Sequence, residues 1–277
     1  MNKKAHIFSI GLVLISIVIL ISGLIVVSEK KAKFRDEKGN DLVIGERQFK
    51  LFNIYNQGEK VLLYVDLASK FAAKQSVYDL GKNSGFFYEQ GCGEYMGVKV
   101  WKNSTDECFP DVYNSFIGFF EYNLDEQLRI TPYNISLNNY DFVVGKTKIT
   151  GIATRNIFLN KSNITYSIKP SFTTEMDYDL SIYDKLKTQS TELIWSCFDV
   201  DGFMGCINTK IQEYKQDGVE WEVVGCGNSS NIPNDKCTEE RFVSFSVKTG
   251  DVFSVYDYDE GENKFRNITI GFALGFI

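Results

Sequence analysis

Histidine is almost absent from this chain. His6 is its one copy in 277 residues, so the rest of the chain cannot form a Ser-His or Cys-His nucleophile pair or a histidine-bound metal site. The G-x-S-x-G, phosphate-loop and dinucleotide-binding motifs are missing as well. The sequence therefore predicts no catalytic residue, no cofactor and no metal, and it favours a non-enzymatic protein.

Proline and an excess of basic charge are also lacking. Only four prolines occur and there is no low-complexity tract, which leaves no obvious linker beyond about residue 45. The 30 Lys and Arg residues are outnumbered by 36 Asp and Glu, which gives a net charge of −6. Because nucleic-acid binding needs a basic surface, we expect no nucleic acid among the partners.

A long apolar run occurs once. Residues 7–27 read IFSIGLVLISIVILISGLIVV without a charge, and at about 1.5 Å per residue they span the roughly 30 Å of a hydrocarbon core. This pattern predicts a single transmembrane helix at 7–27 that contacts the lipid bilayer, preceded by a short cytoplasmic tip. A cleaved signal peptide is the alternative, although its apolar core would be shorter and would end in a small-x-small site.

Two features conflict over the side of the membrane on which the rest of the chain lies. Basic residues are more numerous after the run than before it, which by itself would place the bulk in the cytoplasm. An even number of cysteines without a C-x-x-C pair instead predicts disulfides in an oxidising compartment. These cysteines are Cys92, Cys108, Cys197, Cys206, Cys226 and Cys237.

Acceptor motifs for N-glycosylation exceed the roughly two or three copies expected by chance. The six candidate sites are Asn103, Asn134, Asn160, Asn163, Asn228 and Asn267. With the cysteines they favour an extracytoplasmic glycoprotein, because long domains translocate with little regard to flanking charge.

Cysteine spacing favours pairing between nearest neighbours. Cys92 and Cys108 bracket a loop between two predicted helices, and closing such a loop stabilises a fold by about 3 kcal/mol. Cys226 and Cys237 bracket a polar loop between two predicted strands. The remaining pair is then Cys197 and Cys206, and other connectivities stay open.

Hydrophobic periodicity predicts an α+β fold with antiparallel strands. Apolar residues at spacings of three, four and seven predict amphipathic helices at 46–80, 110–129, 178–197 and 206–216. Segments rich in β-branched and aromatic residues predict strands at 140–145, 148–159, 163–172, 219–224, 241–247, 251–256 and 265–276. After residues 1–28 we expect a charged stalk at 29–44, then domains at 45–172 and 173–277 that can equally form one continuous domain.

Sugar-binding and calcium-binding patterns are weak. Trp101, Trp195 and Trp221 could stack on sugar rings, but a tryptophan beside a disulfide packs in a core more often. The acidic turns at 199–202 and 257–263 lack the spacing of a calcium loop, so solvated turns are the better interpretation.

Several distinctive segments lie along residues 1–172. They are KKAHIF at the start of the apolar run, then IGERQFKLFNIYNQGEKVLLYVDLASKFAAKQSVYDLGKN, CGEY, VKVW, CFP and YSIKPSF. Together they resemble uncharacterised archaeal single-pass surface proteins with a pilin-like N-terminal segment. The resemblance implies an archaeal origin, one membrane span and an extracytoplasmic body, and it leaves open a prepilin-type cut before His6. Some members continue into a cell-wall hydrolase domain, whose metal-binding histidines this chain lacks.

These features predict a membrane-anchored, extracytoplasmic, non-enzymatic protein for cell-surface binding or assembly, with a pilin-like subunit as one version. Its partners would be a second copy of the chain, or a cell-surface protein or glycan. The alternative is an extracytoplasmic hydrolase, or its accessory domain, acting on cell-surface glycans or peptides. A cytoplasmic partner-binding domain is a third hypothesis, which free thiols at every cysteine would favour.

Overall fold

The chain folds into helices and mostly antiparallel sheets in a computed structural model. The structure describes residues 16–22, 33–35, 41–88, 91–103, 105–130, 133, 135–161, 164–198, 202–215, 219–226, 242–258 and 260–276. Contacts divide the chain into two compact units, Met1–Lys60 with Phe158–Ile168 and Val61–Ile157 with Lys169–Ile277.

The first unit contains short strands and the beginning of the longest helix. Strand β1 (Lys33–Arg35) pairs antiparallel with β2 (Asp41–Val43), and β7 (Ile157–Lys161) pairs with β8 (Ile164–Ile168). Helix α1 (Ile44–Lys82) begins here. The ring of Tyr55 meets the ring of Tyr166 edge to face, with centroids 5.9 Å apart.

The predicted transmembrane helix at 7–27 is wrong. In the part of the chain that the structure describes, no helix is both long and apolar enough to cross a membrane. Within this run only 16–22 is described, as a helix. The other residues of 7–27 lie outside the described part.

A five-stranded sheet, ordered β10-β11-β12-β4-β3, forms the centre of the second unit. Its strands are β3 (Glu94–Tyr95), β4 (Val98–Lys102), β10 (Glu220–Cys226), β11 (Phe242–Asp257) and β12 (Glu262–Gly275). Neighbouring strands run antiparallel except β12 and β4, which run parallel. The β11–β12 hairpin extends past the end of β10, whose pairing with β11 stops at Lys248.

Helices α1 and α2 (Val112–Arg129) supply buried faces at regular spacing. Asp111 caps α2, where its Oδ1 accepts a hydrogen bond of 3.2 Å from the Asn114 N–H, so the helix begins after Pro110 rather than at it. The buried face of α1 in this unit consists first of Val61, Val65, Ala68 and Ala72. Farther along the helix, polar Gln75 and Asp79 continue the same face and are also buried.

A smaller antiparallel sheet, ordered β5-β6-β9, packs through aromatic rings. Its strands are β5 (Tyr140–Val144), β6 (Lys148–Ala153) and β9 (Phe172–Glu175). Phe120 of α2 lies 5.4 Å from the Phe142 ring, and Tyr140 lies 5.5 Å from the Phe172 ring. Gly151 sits directly against the Phe172 ring, so any side chain there would collide with it. This cluster fixes α2 on the sheet.

Helices α3 (Ile182–Cys197) and α4 (Phe203–Lys215) precede the strand β10. Trp221 of β10 is buried and its indole Nε1–H donates to Gln189 Oε1 of α3 at 3.2 Å. The Tyr214 ring of α4 lies 5.6 Å from the Trp221 ring. Trp221 therefore joins both helices to the sheet.

The four predicted amphipathic helices are confirmed, with ends shifted by a few residues. The strand predictions need three corrections. The segment 148–159 divides into β6 and β7, and 163–172 divides into β8 and β9, because turns interrupt them. The predicted strands at 241–247 and 251–256 instead correspond, over their described residues, to one strand, β11, in which a register shift accommodates Gly250 at φ 83°.

Candidate functional site

A cleft of about 600 Å³ opens beside α1, α2 and the end of the β11–β12 hairpin, all within the second unit. Aromatic rings dominate its rim, and they are exposed to solvent although large apolar side chains usually pack inside. These residues are Phe71, Tyr122, Tyr256 and Tyr258, and we call the site the tyrosine cleft. Tyr256 and Tyr258 contact each other edge to face, with ring centroids 5.0 Å apart.

The floor of the tyrosine cleft is a fixed amide, that of Gln75 on α1. Its Nε2 donates to the Tyr256 carbonyl at 3.1 Å and to Asp79 Oδ1 at 3.0 Å. Its Oε1 accepts from the Tyr256 N–H at 2.8 Å. Both amide hydrogens are therefore used, and the side chain is held in one orientation.

Asn123 of α2 extends this buried polar network. Its Nδ2 donates to Asp79 Oδ2 at 2.9 Å and to Ser76 Oγ at 3.1 Å. The Ser76 hydroxyl in turn donates to the Ala72 carbonyl at 2.6 Å. The network ties α1, α2 and β11 together behind the rim, and buried polar groups that are satisfied in this way rigidify a site.

Burial is the main cause that raises the pKa of the Asp79 carboxyl, although the hydrogen bonds from Asn123 and Gln75 act in the opposite direction. Burial also raises the pKa of Tyr258, and the charge of Asp79 contributes to the same shift. The Tyr258 hydroxyl therefore keeps its proton at neutral pH and can donate a hydrogen bond in the cleft.

The lining has little net charge of its own. Among its described residues Glu126 is the one carboxylate, and that group forms an ion pair of 3.0 Å with Arg129. No lysine or arginine is among the described residues of the lining. Such a surface suits an uncharged ligand better than a phosphate or a polyanion.

The cysteines lie away from this cleft. Cys92 is bonded to Cys108 and Cys197 to Cys206, with Cα–Cα distances of 5.4 Å and 5.7 Å, so both of these nearest-neighbour predictions are confirmed. Cys226 is also disulfide-bonded. Its predicted partner, Cys237, lies outside the described residues.

The glycosylation candidates differ in their surroundings. Asn160 and Asn267 are exposed on strands β7 and β12. Asn103 is half-buried, and its Nδ2 donates to Asp106 Oδ2 at 3.3 Å while its Oδ1 accepts from the N–H groups of Thr105 and Asp106. The candidates outside the described residues are Asn134, Asn163 and Asn228.

The tryptophans divide between core and surface. Trp101 and Trp221 are buried, whereas Trp195 is 78% exposed. Trp101 stacks on Phe272 with ring centroids 3.9 Å apart, which makes it a core residue. None of the three lines the tyrosine cleft.

In the acidic turn at 257–263, described carboxylates contact cations of the chain itself. Asp257 Oδ2 accepts from Arg266 Nε at 2.9 Å, and Glu260 pairs with Lys264. In the stretches that the structure describes, no group of three or more carboxylate, cysteine or histidine side chains is placed to hold a metal ion.

Sequence reasoning missed the residues of the tyrosine cleft, although a signal was present. Gln75 and Asp79 continue the helical face that starts with Val65, Ala68 and Ala72, and a polar residue in such a stripe must find a buried partner. Asn123 follows Phe116 and Phe120 in α2 in the same way. Their mutual contacts depend on the packing of the two helices, which no local pattern reveals.

Comparison with protein-family models, with curated proteins and with solved structures finds no match to this chain.

Proposed function

We propose that this chain is an extracytoplasmic, non-enzymatic protein that binds a cell-surface partner in the tyrosine cleft. The observation that carries the proposal is the ring of exposed aromatic side chains around a cleft of about 600 Å³. Clustered exposed aromatics mark recognition sites, because their burial by a partner removes a large apolar area from water.

The rigid floor of the cleft supports the interpretation of the exposed rings as a preformed binding site. Gln75, Asp79 and Asn123 hold α1, α2 and β11 in fixed positions through hydrogen bonds of 2.8 to 3.1 Å. A preformed site loses less conformational entropy when its ligand arrives, so more of the contact energy remains as affinity.

The extracytoplasmic location is supported by the disulfides. Every described cysteine is bonded, and structural disulfides persist in oxidising compartments outside the cytoplasm. Reducing compartments would keep such thiols free.

The position of Asp79 favours binding over hydrolysis. A raised pKa is what a general acid requires, but both carboxylate oxygens of Asp79 accept hydrogen bonds from Gln75 and Asn123. Asp79 is not part of the cleft lining, whereas those two amides are. A ligand in the cleft would meet the amides first.

The proposal is tested with the full chain, fluorescently labelled, on cells of its source from which the gene has been deleted. We expect saturable binding that weakens by about tenfold or more in Tyr122→Ala/Tyr258→Ala, because hot-spot aromatics each contribute on the order of 1–2 kcal/mol. The control is Trp195→Ala/Tyr88→Ala, which removes two exposed rings outside the cleft.

Binding by the control variant should equal that of the wild type. Equal binding by the cleft variant and the wild type, or an equal loss in both variants, would contradict the proposal.

A further inference from the structure

The edge of β11 that faces away from β12 has no strand beside it over 249–257 in the described part of the chain. On that side β10 pairs with residues 243–248 only. On the other side β12 continues to pair with β11 from Val252 to Asp257. Among the described residues, the hairpin therefore has an open edge where it enters the tyrosine cleft.

The direction of the backbone groups on this edge follows from Tyr256. Its N–H and its carbonyl both bond to the side chain of Gln75 and so face away from β12, which makes Tyr256 and Asn263 a non-hydrogen-bonded pair. Such pairs alternate along an antiparallel ladder. Ser254, two residues earlier and paired with Phe265, therefore directs its N–H and carbonyl toward the same open edge.

The amide of Gln75 binds the edge of β11 in the way that a peptide group of a ligand would. Its primary amide offers the donor and acceptor of a peptide bond, and it occupies the place that a neighbouring strand would take beside Tyr256. One strand step farther along the same edge lies Ser254, which lines the cleft. An extended backbone entering the cleft would find there the same donor and acceptor pair that Gln75 already uses.

We propose that the tyrosine cleft takes an extended, uncharged polypeptide segment of a partner protein, which adds to β11 as a new strand at Ser254. This inference rests on the proposed function and names its ligand class. Main-chain hydrogen bonds to Ser254 supply affinity, and the segment's alternate side chains contact the rings of Phe71 and Tyr122.

A peptide suits this cleft better than a sugar. Specific sugar binding needs fixed polar side chains with hydrogen-bonding groups to spare, whereas both amide hydrogens of Gln75 are already donated. The strand edge at Ser254 adds a rigid main-chain donor and acceptor, whose spacing a peptide backbone matches. Because Glu126 already forms an ion pair with Arg129, the cleft does not need a positively charged segment to balance the charge of this carboxylate.

The test uses the full chain and a short fluorescent peptide of alternating valine and threonine, with binding measured by fluorescence anisotropy. Ser254→Pro removes the outward N–H without removing a ladder bond to β12, which is the position where an edge strand tolerates proline. We expect the affinity to fall by about tenfold, as for one lost hydrogen bond that leaves an acceptor unpaired. Ser254→Ala keeps the N–H and should bind within about twofold of the wild type.

A second measurement keeps the proposal falsifiable if Ser254→Pro fails to fold. The same peptide, N-methylated at every residue so that neither edge has an N–H, should lose binding to the wild-type chain. Equal binding of the two peptides, or no saturable binding of either, would overturn the strand-addition proposal. The cell-binding comparison of the tyrosine variants is independent of the peptide, so a failure of the proposed function would be recognised separately.

Discussion

The side-chain amide of Gln75 takes the place of a β-strand beside Tyr256. It donates to the Tyr256 carbonyl at 3.1 Å and accepts from the Tyr256 N–H at 2.8 Å. A helix thereby satisfies the backbone of an edge strand, a contact that joins α1 to β11 at the floor of the tyrosine cleft. The same amide also bonds to Asp79 at 3.0 Å, so the cleft and the buried polar network depend on one side chain.

Gln75→Ala should destabilise the fold by about 2 kcal/mol. The substitution leaves buried Asp79 Oδ1 without its hydrogen bond from Gln75, and the Tyr256 N–H and carbonyl without their partner on α1. The free energy of unfolding is measured by urea denaturation. The control is Gln127→Ala, a nearby amide of the cleft lining, for which we expect a change of less than about 0.5 kcal/mol. Equal effects of the two substitutions would contradict the role assigned to Gln75.

Asp79→Asn should change how stability depends on pH. Because the folded-state pKa of Asp79 is raised, the folded protein binds the proton more tightly than the unfolded one. The stability contributed by protonated Asp79 is complete below the unfolded pKa of about 4 and is lost as pH rises through the folded pKa. The deficit of the variant relative to the wild type should therefore shrink as the pH rises from about 4 through the folded pKa.

Asp179→Asn is a control whose stability deficit should change with pH in the opposite direction. Hydrogen bonds from the side chain and then the backbone of Ser181 lower the pKa of Asp179. Its stabilising contribution is present above the unfolded pKa and is lost as pH falls through the folded one. The deficit of this variant should be largest near neutral pH and should shrink in acid. Urea denaturation of the wild type and both variants at several pH values measures these deficits. Deficits that change in the same direction with pH would contradict this assignment.

Removal of the Cys92–Cys108 disulfide should cost slightly more stability than removal of the Cys197–Cys206 disulfide. Their sequence separations are 16 and 9, for which the chain-entropy model gives about 3 and about 2.5 kcal/mol. The measurement is thermal or urea unfolding of the paired Cys→Ser variants. A markedly larger loss from the shorter loop would show that native contacts, rather than loop closure, set the effect.

Glycan occupancy in protein from the native source should follow the exposure of the acceptor asparagines. Asn160 and Asn267 are exposed, so we expect both to be modified. The amide of Asn103 is engaged with Asp106, so its occupancy should be lower. Mass spectrometry of tryptic peptides measures all three sites. Complete absence of glycans would remove this support for an extracytoplasmic location, and full occupancy of Asn103 alone would contradict the exposure argument.

Local sequence patterns were sufficient for the helices and the short disulfide loops. The spacing of Phe116, Phe120 and Leu124 defines one face of α2, and that face is buried. Cys92 and Cys108 lie close together because their N–H groups donate to the carbonyls of Val100 and Trp101, which are neighbours in β4. Both signals operate over short stretches of chain, where periodicity and spacing carry the information.

Long-range pairing was not predictable in the same way. Strand β4 was missed because it is short and lacks alternation, and its parallel partner β12 follows it by about 170 residues in the chain. The apolar run at 7–27 satisfied a length and hydropathy rule, yet no helix in the described ranges meets the requirements for a membrane span. The contact between Gln75 and Tyr256 likewise joins residues 181 apart in sequence.

Amide hydrogen exchange of the full chain tests the central claim, that a partner enters the tyrosine cleft, most directly. Exchange would be followed with and without a solubilised surface extract of cells that lack the gene. We predict that the outward amide of Ser254 exchanges rapidly in the free protein and slows on addition of the extract, together with amides of the cleft rim. Protection that arises elsewhere in the chain, with exchange at Ser254 and the rim unchanged, would contradict the account.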